Sequence, residues 1–252
     1  MKQVANKDAV LRIAADEKWI NEADVAQQTN ESDGYALEEA LRMKEAKGEG
    51  EVVVCSLGPQ CAKTVIKDAL ARGADRAIHI VVEDSKKLSP FQIASTIADA
   101  IREENADMVF SGLQSDDASY GQTGVILAEL LGIPHATLVI EVDRTKLEGS
   151  VRLKRELESG WYQWFSYELP ALLTIQSGIS QIRYASLKGI MAAKKKEIRE
   201  LTPTIEIFAS ASKIEKVYMP LKTKQTQMLG NGDAKAGAVE LVEKLKTEVR
   251  VL

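Results

Sequence analysis

The chain has 252 residues, 45% of them hydrophobic and 28% charged, with a formal net charge of −4. This is an ordinary soluble composition with enough apolar residues for a substantial core, in one large or two small domains. The acidic balance and the 5% aromatic content argue against nucleic-acid binding, which uses basic surfaces and base-stacking platforms.

In chain order, Tyr35 to Lys47 is predicted as an amphipathic helix with Ala36, Leu37, Ala40, Leu41 and Met43 inward. Glu51 to Leu57 is a short continuous apolar run stopped by Gly58-Pro59, as a buried parallel strand would be. A helix follows from Gln60 to Arg72, with Gly73 as its C-cap. Ala77–Val82 is the next strand and Phe91–Glu104 the next helix. Asp107–Phe110 is a strand ending at Ser111-Gly112, and Gly121–Leu131 a helix closing at Gly132. This alternation predicts an α/β, Rossmann-like fold: a mostly parallel sheet with helices on both faces. Thr137–Val142, Val151–Leu157 and Trp161–Leu169 read as successive strands of an antiparallel extension, about residues 136–178. Trp161 and Trp164 lie three apart and are expected on opposite faces, one in the core. After Leu201-Thr202-Pro203 periodicity fades until a final helix at Ala238–Val249. A domain of residues 1–205 and a C-terminal arm of residues 206–252, either disordered or laid against another chain, is the expected organisation.

The best ligand-site candidate runs from Ser111-Gly112-Leu113 through Gln114, Ser115, Asp116, Asp117, Ala118, Ser119, Tyr120, Gly121, Gln122 and Thr123 to Gly124. It joins the carboxyl end of a strand to a helix start, where unpaired N–H groups and the helix dipole favour a phosphate. It is neither a P-loop nor a GxGxxG fingerprint. A Ser/Asp-rich turn that merely caps the helix fits the same residues. Asn30, Glu31, Ser32 and Asp33 form a second polar segment, read as the loop before the Tyr35 helix or as its N-cap. Ser56-Leu57-Gly58 is a third candidate, at a strand end, or no more than a tight strand-to-helix turn. No GxSxG or HExxH occurs, and His79 and His135 stand beside no nucleophile motif. Cys55 and Cys61, the only cysteines, lack CxxC or metal spacing and are expected as reduced thiols.

The stretch from Pro170 to Ile198, PALLTIQSGISQIRYASLKGIMAAKKKEI, joins a buried-strand run, a polar loop offering one apolar side chain, Leu187, and a lysine run, Lys194-Lys195-Lys196. It resembles the signature region of the electron transfer flavoprotein beta subunit family. The Asn30 region, the ALEEAL helix, the Gly-Ala-Asp turn at Gly73 and the Gln122-Thr123-Gly124 run extend the likeness over nearly the whole chain. The resemblance implies a heterodimer with an FAD-bearing electron transfer flavoprotein alpha subunit, carrying electrons from flavin-containing dehydrogenases and performing no bond-making chemistry itself.

It also implies residue roles. Asn30 to Asp33, Leu57 and Gln114 to Val125 surround a nucleotide: AMP, or a second FAD in bifurcating members. GLQSDDASYGQTG resembles the AMP type, because the bifurcating type carries Asp-Gly-Asp. Tyr184, Ala185, Ser186, Leu187, Lys188 and Ile190 become a partner-docking loop, with the lysines steering an acidic partner. Glu156 matches a glutamate that positions the mobile flavin domain. Three departures stand out: Ile182 replaces a proline and loosens the loop, while Lys7 and Ser32 replace aromatics near the flavin. Met1-Lys2-Gln3-Val4 aligns with the end of a central first strand, about five residues short of the family's.

Without the resemblance, a homodimeric nucleotide-binding sensor of stress-protein type is the competing reading, and an adenylate-using ligase or hydrolase lacks a base and a phosphate-binding lysine. No apolar stretch reaches the ~18–20 residues of a membrane span, and MKQVANKDAV lacks a signal-peptide core. The expected location is the cytoplasm, or an organelle matrix after loss of a transit peptide.

Overall fold

A computed structural model describes residues 1–23, 25–145, 149–203, 214–220 and 226–251. It separates into two compact units, Met1–Glu215 and Lys216–Leu252.

The larger unit is α/β and Rossmann-like. Strands β3 (Val53–Gly58), β4 (Arg76–Val81) and β10 (Ile198–Leu201) form a parallel sheet in the order β10-β4-β3. A second sheet has the order β5 (Met108–Gly112), β9 (Ala171–Ile175), β6 (His135–Asp143), β7 (Ser150–Glu156), β8 (Tyr162–Glu168). There β5, β9 and β6 run parallel, and β7 and β8 add the antiparallel extension. Every residue of β9 is buried, which is why Ala-Leu-Leu-Thr-Ile reads as a continuous run rather than an alternating one.

Helix α1 (Glu31–Lys47) serves both sheets. Leu37 and Leu41 pack with Val54, Ile66, Leu70 and Ala77. Ala36 and Met43 pack with Val139, Leu153, Leu173 and Ile175. Ile66 and Leu70 belong to α2 (Lys63–Arg72), and Leu172, on the opposite face from Leu173, is covered by α3 (Pro90–Ile101) and α4 (Thr123–Leu131). α3 opens with a capping box: Ser89 Oγ accepts from Gln92 N (3.3 Å), and Ser89 N donates to Gln92 Oε1 (3.0 Å).

Several expectations are corrected. α1 starts at Glu31 rather than Tyr35, so Glu31 to Asp33 form its first turn and only Asn30 stands outside. Gly34, a poor helix former, conceals that turn. Leu187 is not a loop residue: it opens α5 (Leu187–Ala193), capped by Ser186 Oγ, which accepts from Gly189 N at 3.0 Å. Trp161 (72% exposed) precedes β8 and Trp164 (40%) lies on it; neither enters the core. Trp164 is instead covered by the Arg152 guanidinium at 4.7 Å. Met1 to Val4 do not extend the parallel sheet. β1 (Gln3–Ala5) pairs antiparallel with β2 (Gln27–Thr29), and the Met1 amino group donates to Cys55 O at 2.6 Å.

In the smaller unit, α6 (Ala234–Lys244) continues into a π turn at Leu245–Val249, where a single helix was expected from Ala238. The Asp233 side chain caps α6 by accepting from Lys235 N and Ala236 N. Val239, Leu241 and Val242 are exposed, and no described residue of the unit is buried. Within the segment Ala209–Ala236, residues 209–213 and 221–225 lie outside the described residues.

Candidate functional site

The carboxyl end of β5 meets the first turn of α1. Asn30, the N-cap residue, does not cap its own helix with its side chain. Its Nδ2 donates to Gln114 O and Ser32 Oγ, both at 3.0 Å, and its Oδ1 accepts from Asp116 N at 2.9 Å. Ser32 Oγ donates to Gln114 O at 2.7 Å. Asp33 accepts from Gly112 N and from Lys2 N, each at 2.8 Å. Asp116 accepts from Glu31 N at 3.1 Å. Lys2 Nζ lies between Ser115 Oγ (3.2 Å) and Asp117 Oδ1 (2.6 Å). The segments Asn30–Asp33 and Gln114–Asp117, 84 residues apart in the case of Asn30 and Gln114, are thus one hydrogen-bonded body. A Cβ at Gly112 would collide with Ser32 Oγ, so only glycine permits this approach.

Beyond Asp117 the chain turns through Ala118 and Ser119, whose N and Oγ donate to Ser115 O. Ser119 and Gly121 both have positive φ. Tyr120 is half exposed, and Gly121 and Gln122 lead into α4, where Thr123, Gly124 and Val125 form the first turn. Leu57 stands half-buried at the carboxyl end of β3, the other sheet's edge. No hydrogen bond ties it to the Asn30 or Gln114 segments among the described residues.

The unpaired N–H groups that open α4 are what a phosphate-bearing group fits here, and Ser111, Thr174 and Gly124 pack tightly behind them. Ser111 Oγ and the buried Thr174 Oγ1 have no hydrogen-bond partner among the described residues. Gly124 lies against both residues: its added Cβ would fall 2.6 Å from Ser111 Oγ and 2.8 Å from Thr174 Cγ2. The N–H groups of Thr123, Gly124 and Val125 find no acceptor among the described residues and sit at the positive end of the α4 dipole. Of the neighbouring carboxylates, Asp117 is neutralised by Lys2 Nζ, while Asp33 and Asp116 are held by backbone N–H groups.

The Tyr184–Ile190 segment forms a separate site. Tyr184 is 93% and Leu187 84% exposed; Ile190 is exposed too, as are Ser186 and Lys188, while Ala185 is half-buried. α5 lies directly on α2, since a Cβ at Gly189 would strike Ala71 O. The lysine run divides in function. Lys194 and Lys195 are exposed, but Lys196 Nζ donates to Leu70 O (2.9 Å) and Ala74 O (2.5 Å). It caps the C-terminus of α2 and is no part of a free basic patch. Glu156 closes β7 opposite Tyr162 and accepts from Gln176 Nε2 at 3.4 Å.

Sequence reasoning overlooked Lys2, Thr174 and Arg183. A buried threonine in an apolar run was the available signal for Thr174. Cys55 and Cys61 are free thiols. Cys55 keeps some accessible surface, yet its apolar surroundings push its thiol up to about 11. No group of metal-ligating side chains and no helix long and apolar enough to cross a membrane occurs among the described residues.

Residues 18–206 match the model of the "Electron transfer flavoprotein domain" family. The "Electron transfer flavoprotein subunit beta" of Methylophilus methylotrophus is 32% identical over 256 residues, covering 98% of this chain and 97% of that protein. The mitochondrial subunit beta of Arabidopsis thaliana is 36% identical, covering 100% of this chain and 98% of its own. The Homo sapiens subunit beta is 34% identical over 206 residues, 81% of this chain and 79% of its own. The family match over residues 18–206 and these likenesses agree: the chain belongs to the electron transfer flavoprotein beta subunit family.

Proposed function

We propose that this chain is the beta half of a heterodimeric electron carrier that takes electrons from flavin-containing dehydrogenases and passes them to a downstream acceptor. The redox group is an FAD held mainly by the alpha subunit, and it supplies the electron-accepting and electron-releasing chemistry. This chain contributes a nucleotide site, a docking surface and no bond-making chemistry. AMP is the proposed nucleotide, with its phosphate on the first turn of α4 beside Ser111 and Thr174, and Asn30–Asp33, Leu57 and Gln114–Val125 around it. Glu156 limits the swing of the flavin domain through a breakable ion pair. The smaller unit, whose α6 leaves Val239, Leu241 and Val242 uncovered, packs on the alpha subunit.

The observation that carries the docking reading is the exposure of Leu187 and Tyr184 at the start of a helix held in place from behind. An apolar side chain so presented is an anchor for a partner pocket, ringed by Ser186, Lys188 and Gly189. Burying a leucine is worth about 1.5–3 kcal/mol. In the intact heterodimer, Leu187→Ala is therefore expected to lower kcat/KM for reduction by a partner dehydrogenase about tenfold or more, with subunit and cofactor content unchanged. Unaltered reduction kinetics with several dehydrogenases would remove the docking reading.

A further inference from the structure

We infer that Arg183 is a positioning residue for partner docking, a clamp that fixes the Tyr184–Ile190 segment in one pose by gripping α1 from behind. The inference rests on the docking reading of that segment. Between β9 and α5 the chain has no regular structure of its own, so its pose depends on what it is tied to. Arg183 N and Nε donate to Glu38 Oε2 at 3.2 and 2.9 Å, and Nη2 donates to Glu38 Oε1 at 3.1 Å. Nη1 and Nη2 donate to Glu45 Oε1 and Oε2 at 2.5 and 3.0 Å. One guanidinium thus forks across two carboxylates nearly two helical turns apart on α1. Arg42 completes the clamp: its Nε donates to Glu38 Oε1 at 2.7 Å and its Nη2 to Gln181 O at 2.9 Å. Ile182 Cδ1 packs against Gly34, 3.3 Å from where a Cβ would stand.

The clamp does more than pair a buried carboxylate. Glu38 is buried, but the chain that the clamp fixes leads straight into Tyr184, 93% exposed, and on to Leu187, 84% exposed, at the start of α5. Holding exposed apolar side chains rigid gains nothing for the isolated fold. It gains affinity for a partner, because the ordering cost is met before docking. A lysine at this position has the charge without the fork and reaches one carboxylate at a time.

The test uses the intact heterodimer and the dehydrogenase that reduces it fastest in a panel of purified flavin-containing dehydrogenases. Arg183→Gln is expected to raise the KM for the reduced dehydrogenase about fivefold, with kcat, FAD and nucleotide content unchanged. Amide exchange should quicken at residues 181–191 and nowhere else. Arg183→Lys should recover part of both changes. Glu45→Ala, which removes the exposed half of the fork and leaves the buried Glu38 paired, should shift both in the same direction and supplies the test if Arg183→Gln fails to assemble. If Leu187→Ala slows reduction while Arg183→Gln and Glu45→Ala leave KM and local exchange unchanged, the clamp is overturned and the docking reading stands. If Leu187→Ala is silent as well, the docking reading falls and the clamp's role falls with it.

Discussion

Gly124 and Gly189 are positions where a single methyl group decides a site. At Gly124 a Cβ would press on Ser111 Oγ and on Thr174 Cγ2, both on buried or half-buried strand residues that have little room to give. Gly124→Ala is expected to cost about 1–3 kcal/mol by denaturant titration and to lower bound nucleotide. The thiols offer a second check at this scale. Cys61 is exposed and open to reagents, whereas the raised pKa of Cys55 keeps it protonated near neutrality. One thiol per chain should react rapidly with a thiol reagent at pH 8, and two after denaturation. Residue roles were the least legible part of the sequence. Ser186, Leu187 and Gly189 could be read locally, but the Arg183–Glu38 contact spans 145 residues and Lys196 meets the C-terminus of α2 across 126. A charge run gives no sign of which lysine will be consumed as a cap.

Among the elements, α1 carries the most. Its first turn belongs to the Asn30–Gln114 hydrogen-bonded cluster, its middle grips Arg183, and its buried face serves both sheets. Glu39, on the same helix, is fully buried and paired with Arg144 Nη2 at 2.5 Å. Arg144→Ala leaves that carboxylate without its partner and is expected to destabilise by about 3–5 kcal/mol, measured as a fall in the denaturation midpoint. Acid should loosen α1's attachments too. Burial pushes the Glu38 carboxyl upward, but hydrogen bonds from Arg183 and Arg42 outweigh it and hold the group below the usual range. Glu45 is lowered chiefly by its hydrogen bond from Arg183. Both groups bind protons less readily folded than unfolded, so their contribution is complete at neutral pH and is lost as pH falls through the lowered values. Amide exchange at residues 181–191 should therefore be constant from pH 8 to about 5, once corrected for intrinsic rates, and rise below about 4. The periodic elements were legible because burial imposes the period. α1 was found from Tyr35 onward by its apolar face, but its first turn, Glu31 to Gly34, presents polar residues to the site. α5 was missed because seven residues with an uncovered apolar side carry no helical stripe.

At the scale of the whole molecule, the α/β alternation and the antiparallel extension were readable in advance, since parallel strands buried on both faces leave continuous apolar runs. The division into two sheets was not, because strand pairing follows from contacts far apart in the chain. The smaller unit, with no buried residue among those described and an exposed apolar helix face, has too little core to be stable by burial alone. The proposed packing on the alpha subunit supplies that cover. The most direct measurement is the mass and absorbance of the natively purified complex. One copy of this chain with one alpha subunit, one FAD and one AMP is the expected composition. A colourless homodimer, or a heterodimer carrying two FAD and no AMP, would contradict it.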